Sequence, residues 1–241
     1  MSNSLSPDNT NTLPKVIFLD AMGTLFGLKT SVGEIYQQYA LKYGVEADAK
    51  LLDRAFIASF KSAPPLAFLE TESATLEEQE FSWWKNVVRA TFLKLNLLEQ
   101  FDSFTDFFSD VYNYFAIKDP WFIFPDVVPA LYRWQSKGIE LGVISNFDTR
   151  LNKILNALEL KQFFTTVTIS SEVGFAKPDP NIFKVALNKH NVTPQQAWHI
   201  GDSLIEDYQG AKRVEISAFC LNRDTSLLKI ENPLPNLSSL G

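Results

Sequence analysis

Asp20, the pair Ser145–Asn146, Lys177 and Asp202 are a carboxylate, a hydroxyl beside an amide, an ammonium and a second carboxylate, and each closes or follows a short apolar run of the sequence. Any one of them is ordinary as a turn or cap residue. Four such positions after four successive runs are a different matter if the runs are parallel strands, because open parallel sheets bind ligands outside the carboxyl ends of their strands. The set would then gather on one edge, with Lys177 supplying the local positive charge that an anionic substrate requires.

The elements that must position these residues are legible. "VIFLD" at 16–20, "IELGVISN" at 139–146, "FTTVTIS" at 164–170, "AWHIGD" at 197–202 and "ISAFCLN" at 216–222 are short, nearly continuous in apolar residues and rich in β-branched or aromatic types, the pattern of strands buried on both faces. Between them "DVVPALYRWQSKG", "DTRLNKILNALEL", "DPNIFKVALNKH" and "IEDYQGAKRV" carry helical spacing. The alternation predicts an α/β fold with a Rossmann-like, doubly wound parallel sheet. More than a hundred residues separate the first two strands, far beyond a normal connection, so a folded unit is inserted there. The division that follows is a flexible tail at 1–13, a core from 14–29 and 120–241, and an α-helical insertion at 30–119. In the insertion Phe81, Trp84, Val88, Phe92 and Leu95 recur at spacings of three and four, which predicts one buried stripe. Such a stripe reads as core rather than as the lining of a ligand pocket. "SAPPLAF" at 62–68 interrupts the helices, and the Phe-rich run at 101–115 is expected to pack within the insertion rather than form a dimer patch.

Composition removes several classes of function. The 241 residues carry a formal charge of −6 with no long Lys/Arg cluster, so neither nucleic acid nor an anionic membrane is an expected partner. Cys220 is the single cysteine and reads as an inert buried thiol, which excludes an internal disulfide; with only His190 and His199 besides, no zinc-type ligand spacing occurs. His199, in "AWHIGD", is expected to be structural. Residues 1–13 lack the basic start and apolar run of a secretory signal, and a cytoplasmic location is expected. Monomer and homodimer both stay open.

Taken together, "DAMGTL", "VISNF", "AKPDPNIF" and "GDSLIEDYQGA", in that order, resemble the motifs of the haloacid dehalogenase-type hydrolases over about 15–25 and 120–222. The resemblance implies that the insertion is the family's helical cap and that Asp20 is a nucleophile, attacking phosphorus to form an aspartyl phosphate. It implies Mg2+ held by the Asp20 carboxylate, the main-chain carbonyl of Met22 and Asp202, with Asp207 in support behind them. Gly23 would permit the turn, Thr24 and Ser145 would donate to phosphoryl oxygens, Asn146 would assist through its amide or backbone N–H, and Lys177 would neutralise the remaining charge. The substrate implied is a small phosphorylated molecule.

Met22 departs from the family pattern. In the family's phosphatases an Asp there protonates the leaving alkoxide and then activates water; a thioether does neither. Two alternatives to phosphoryl transfer therefore stay open, a phospholigand-binding protein without turnover and a dehalogenase attacking carbon. The carboxylates of "GDSLIED" are surplus to the latter, and Arg54 is the one candidate to receive a halide. Glu34, Tyr36 and Lys42 are candidates for contacts to substrate from the insertion.

Overall fold

The computed structural model describes residues 13–68, 74–223 and 233–240, so all of the expected N-terminal tail except Leu13 lies outside the described residues. Its strands are β1 (Val16–Leu19), β2 (Phe26–Leu28), β3 (Trp121–Ile123), β4 (Glu140–Ser145), β5 (Thr166–Ile169), β6 (Ala197–Gly201) and β7 (Ser217–Cys220). The five expected runs make one parallel sheet in the order β5-β4-β1-β6-β7, and β2 and β3, too short to show as periodic runs, form an antiparallel pair beside it. Leu19 at the end of β1 stands opposite Val143 of β4 and Ile200 of β6, which brings the residues that follow these strands to one edge.

Between β2 and β3 lie α1 (Val32–Lys42), α2 (Ala49–Ser62), α3 (Leu76–Lys94) and α4 (Phe104–Tyr114). Capping boxes start α1 at Ser31 with Glu34 and α3 at Thr75 with Glu78, and α2 stops at Ser62 ahead of Pro64 and Pro65. The four helices enclose their own core of Tyr36, Ala40, Leu52, Val88, Phe92, Phe107, Phe108 and Val111, so the Phe-rich run packs inside the unit. The single stripe expected on α3 is an undercount. Phe81, Trp84, Val88 and Phe92 face that core, but Trp83 and Val87 pack against Leu66 on another side, and Glu80 is buried as well. A helix wedged between two partners buries more than one face.

The sheet is covered by α5 (Val127–Ser136) and α6 (Arg150–Ala157) on one face, while α8 (Pro180–His190) and α9 (Gly210–Lys212) cover the other; the short α7 (Ser170–Val173) follows β5 directly. Ile17 and Leu19 pack with the first pair, Val16 and Phe18 with the second, and all four are fully buried. That is the period-two alternation of a strand enclosed on both faces. The helix expected at 205–214 begins instead as a π-helical turn, Leu204–Gln209, before α9. Among the described residues no helix is long and apolar enough to cross a membrane.

Candidate active site

The chain leaves β1 through a turn that keeps Asp20 in register with the sheet. Asp20 N–H donates to Ile200 O at 2.9 Å, and the turn closes through Leu25 N–H to Ala21 O at 2.7 Å and Gly23 N–H to Phe26 O at 2.8 Å. Gly23 has φ +90°, and a Cβ on it would collide with the Asp202 carboxylate, so glycine is required here on both counts. The close approach of the first turn to the loop after β6 depends on that bare backbone.

Lys177 lies beneath this turn. Its ammonium donates to Asp20 Oδ1 and to Asp207 Oδ1, each at 2.6 Å. Asp207 Oδ1 also accepts from His199 Nε2 at 2.8 Å, and Oδ2 accepts from Ser203 N–H at 3.0 Å. The π-helical turn is what aims Asp207 back at the sheet, since Asp207 and Tyr208 N–H both bond Ser203 O. His199 is fully buried and structural, as expected, and burial lowers its pKa against the pull of Asp207, so the neutral ring donates from Nε2. Asn146 braces Lys177 from the other side, with Nδ2 to Lys177 O at 2.8 Å and Lys177 N–H to Oδ1 at 2.7 Å. Its side-chain amide is thereby committed, and its backbone N–H is the group left for a ligand.

Carboxylate oxygens of Asp20, Asp202 and Asp207 lie within 4.8 Å of one another, and among the described residues Lys177 is the only cation bonded to them. Burial pushes Asp20 up to about 7, with Asp207 and Asp202 adding to the shift and Lys177 opposing it. Asp202 is solvent-accessible at the cavity, and partial desolvation by its neighbours, followed by the charge of Asp207, pushes it up to about 6. Asp207 goes the other way, because Lys177 and His199 outweigh its burial. Three converging oxygen donors with an excess of negative charge suit a hard divalent cation.

Above the carboxylates lies a cavity of about 450 Å³. Asp20, Met22, Gly23, Ser145, Asn146, Asp202 and Asp207 lie on its wall, whereas Lys177 and Thr24 do not. Met22 is 44% exposed and faces the cavity; the Thr24 hydroxyl is buried with no hydrogen-bond partner among the described residues. The opposite wall carries Tyr36, Phe56, Phe60, Trp84 and Tyr112, which corrects the reading of the insertion's aromatic residues as core alone. Of the three candidates from the insertion Tyr36 reaches this wall, while Glu34 caps α1 and Lys42 lies over the Tyr39 ring at 3.9 Å. Arg54 is exposed and off the wall.

Three residues the sequence reading did not single out tie this arrangement together. Arg150, on the wall, donates to Asp148 Oδ1 at 2.9 Å and Oδ2 at 2.7 Å and to Tyr112 O at 2.9 Å, and Trp84 Nε1 donates to the same Asp148 at 2.6 Å. Glu80 of α3 accepts from Thr149 N–H at 2.9 Å, Thr149 Oγ1 at 2.5 Å and Ser171 Oγ at 2.6 Å. Arg223 donates to Gly23 O at 3.2 Å, Thr24 O at 2.6 Å and Asp126 Oδ1 at 2.8 Å, gripping the turn after Asp20 from behind. Arg150 had a signal, a charged residue four positions beyond Asn146 at the start of α6, and so had Arg223, which directly follows the run at 216–222; Glu80 had none.

A family model described as haloacid dehalogenase-like hydrolase matches residues 14–215. The mouse protein named haloacid dehalogenase-like hydrolase domain-containing protein 3 (Mus musculus) is 32% identical over 233 residues, 94% of this chain and 92% of its own. Among solved structures, a HAD phosphatase from Thermococcus onnurineus superimposes with a TM-score of 0.65 at 20% identity, covering 94% of this chain and 95% of its own. A 2-haloacid dehalogenase from Pseudomonas syringae pv. Tomato does so with 0.63 at 20%, covering 95% and 96%. A phosphatase and a dehalogenase fit about equally well, so these structures speak to the fold and leave the reaction to the residues. With the family model spanning four of the five strands of the sheet and the helices inserted into it, the chain belongs to the haloacid dehalogenase-like hydrolases.

Proposed function

We propose that this hydrolase is a phosphatase-like enzyme that transfers a phosphoryl group from a small monophosphate ester to Asp20, with the helices between β2 and β3 acting as a cap over the core site. The observation that carries this reading is the cluster of Asp20, Asp202 and Asp207 around one lysine. A dehalogenase would use at most one further carboxylate, to activate the water that cleaves its ester intermediate, and Arg150, the cation on the cavity wall, is already neutralised by Asp148. Mg2+ or a similar ion, held by Asp20, Asp202 and the Met22 carbonyl, would neutralise charge between nucleophile and phosphate.

The chain's own residues account for the rest. Lys177 fixes the Asp20 carboxylate, which attacks phosphorus while the P–O bond to the leaving group breaks and its electron pair departs with that oxygen. The Ser145 hydroxyl and the Asn146 backbone N–H stand where they can donate to the phosphoryl oxygens. Water then attacks the phosphorus of the aspartyl phosphate, its proton passing to the phosphate released, and Asp20 is restored. Met22 supplies no proton to the leaving group. Slow turnover is therefore expected, and the same residue favours, as a second reading, a protein that binds a phosphorylated ligand without hydrolysing it.

A panel of phosphate monoesters assayed with Mg2+ and with chelator tests the proposal. Turnover should require the ion, and Asp20→Asn should fall below about 10⁻³ of the parent rate while remaining folded. Full activity with chelator, or in the Asn variant, would remove the aspartyl phosphate from consideration. Saturable binding without turnover would favour the second reading.

A further inference from the structure

We infer that the group esterified to phosphate in the substrate is uncharged and aromatic or branched-apolar, so that the site selects aryl-type monophosphates over sugar phosphates, bisphosphates and carboxylated phosphates. This rests on the phosphoryl-transfer reading of Asp20 and concerns the part of the cavity beyond the reacting phosphorus. The cavity's volume of about 450 Å³ is ample for such a body next to a phosphate.

Ser145 ends β4, Asn146 follows it, and Ser203 and Glu206 follow β6, so these polar wall residues lie at the strand ends, where the phosphate is held. Further out the wall is Val32, Tyr36, Phe56, Phe60, Trp84 and Trp121. The two indole N–H groups there are already used within the protein, Trp84 on Asp148 Oδ2 at 2.6 Å and Trp121 on Phe115 O at 3.1 Å. Both tryptophans therefore offer a ligand apolar ring surface. Arg150 likewise turns its guanidinium inward, to Asp148 and the Tyr112 carbonyl, and it lies over the Tyr112 ring at 3.7 Å.

A sugar brings several hydroxyls that lose water on entry and would find few partners on such a wall. A second anion fares worse. The charged residues of the wall are Asp20, Asp202, Glu206 and Asp207 against Arg150, whose charge is matched by buried Asp148. A carboxylate or a second phosphate beyond the first would be desolvated with no free cation among the described wall residues to meet it. An aromatic body instead replaces water against ring faces. It also departs as a phenolate, a leaving group suited to a site whose acid position holds Met22. Two independent features, the wall and the turn, thus ask for the same substrate.

The test holds the leaving group nearly constant and varies only the body. 4-Methylphenyl phosphate and 4-(carboxymethyl)phenyl phosphate differ in charge at a position insulated from the phenolic oxygen, and acetyl phosphate reports the chemistry with almost no body at all. With Mg2+, kcat/KM should favour the 4-methylphenyl ester over the 4-(carboxymethyl)phenyl ester by at least about tenfold. Equal values, or a preference for the charged ester, would overturn the inference while turnover of acetyl phosphate kept the phosphoryl-transfer reading intact. If none of the three is hydrolysed, the phosphoryl-transfer reading fails, and with it the inference as a statement about substrates. Titration with benzylphosphonate and phosphonoacetate then decides the ligand class by itself: tighter binding of the benzyl compound by about tenfold or more upholds an apolar ligand, and equal binding rejects it.

Discussion

The sheet edge and the helical wall facing it differ in how their side chains are held. At the edge, Lys177, Asp207, His199 and Asn146 come from four separate segments, two loops, a strand and the π-helical turn, yet hydrogen bonds of 2.6–2.8 Å connect them. Each has its direction fixed by another, which is how a site keeps reacting groups in place before substrate arrives. The wall is held mainly by packing, with Trp84 and Trp121 also anchored through their indole N–H groups: Tyr36 meets Phe56 edge-on at 5.8 Å and Phe60 stacks on Trp84 at 5.9 Å. Apolar packing tolerates exchange of side chains of similar volume, whereas a charged network does not tolerate the loss of one member. Chemistry is therefore assigned to the edge and selectivity to the wall, and the following predictions try that division.

The largest effect is expected at Met22, an apolar side chain among the polar groups of the edge. Its side chain is 44% exposed at the cavity, so a carboxylate placed there need not be buried. Met22→Asp should raise kcat/KM for an alkyl phosphate by about 10²–10⁴, or roughly 3–5 kcal/mol of barrier, with much less gain for an aryl phosphate. An unchanged alkyl-to-aryl ratio in a folded variant at saturating Mg2+ would show that the position is not a vacated acid site.

Next comes the seam between the two regions. Arg150 and Asp148 are buried and bonded to each other as well as to Trp84 and Tyr112 of the insertion. Arg150→Met leaves Asp148 buried without its partner and should cost about 3–5 kcal/mol of stability in denaturant titrations. Adding Asp148→Asn should restore part of that. A double variant no better than the single one would mean that packing of the guanidinium on Tyr112 is the larger contribution.

The two regions were also unequally legible from sequence. Strand ends were found because runs such as "VIFLD" are buried on both faces, so the first polar residue after each run marks the sheet edge. That put Asp20, Ser145 and Asp202 in view without any contact being known. The wall was read only as core because periodicity says which residues are buried and cannot say whether the far side of a ring meets another ring or an open cavity. Glu80 was invisible for a related reason, since it lies within a helix and its partner is 69 residues away; Arg223 directly follows the run at 216–222, but it grips backbone carbonyls 199 and 200 residues away, which no side-chain pattern discloses.

Arg223 sharpens the comparison from behind the edge. It holds the carbonyls of Gly23 and Thr24 and lies 3.8 Å over the Phe124 ring, and it touches neither the cavity nor Asp20. Arg223→Ala should lower kcat by about tenfold with a smaller change in KM, because misplacing the turn disturbs the attack more than binding. Arg223→Lys should recover little, since an ammonium cannot fork across two carbonyls. A loss confined to KM would move Arg223 out of a positioning role.

The smallest effect asks whether charge or packing holds the two regions together. Glu80 reaches from the insertion to Thr149 and Ser171, and its pKa is raised: burial drives it up, the Ser171 and Thr149 donors oppose that, and the charge of Asp148 adds to it. A carboxylate raised on folding contributes stability that is complete below the unfolded value and is lost as pH climbs through the folded one. The window thus opens near the ordinary Glu value of 4.5 and closes above it. Glu80→Gln does not titrate and keeps an oxygen for the donors, so apart from a constant hydrogen-bond difference of about 1 kcal/mol its stability should not share that fall. Unfolding free energies of the two proteins, measured from pH 4 upward, should shift in favour of the Gln variant across the window and run parallel beyond it. Should the native protein gain on the variant instead, the three donors outweigh burial, Glu80 is held ionised, and the seam is an electrostatic clasp like the sheet edge rather than an extension of the apolar wall.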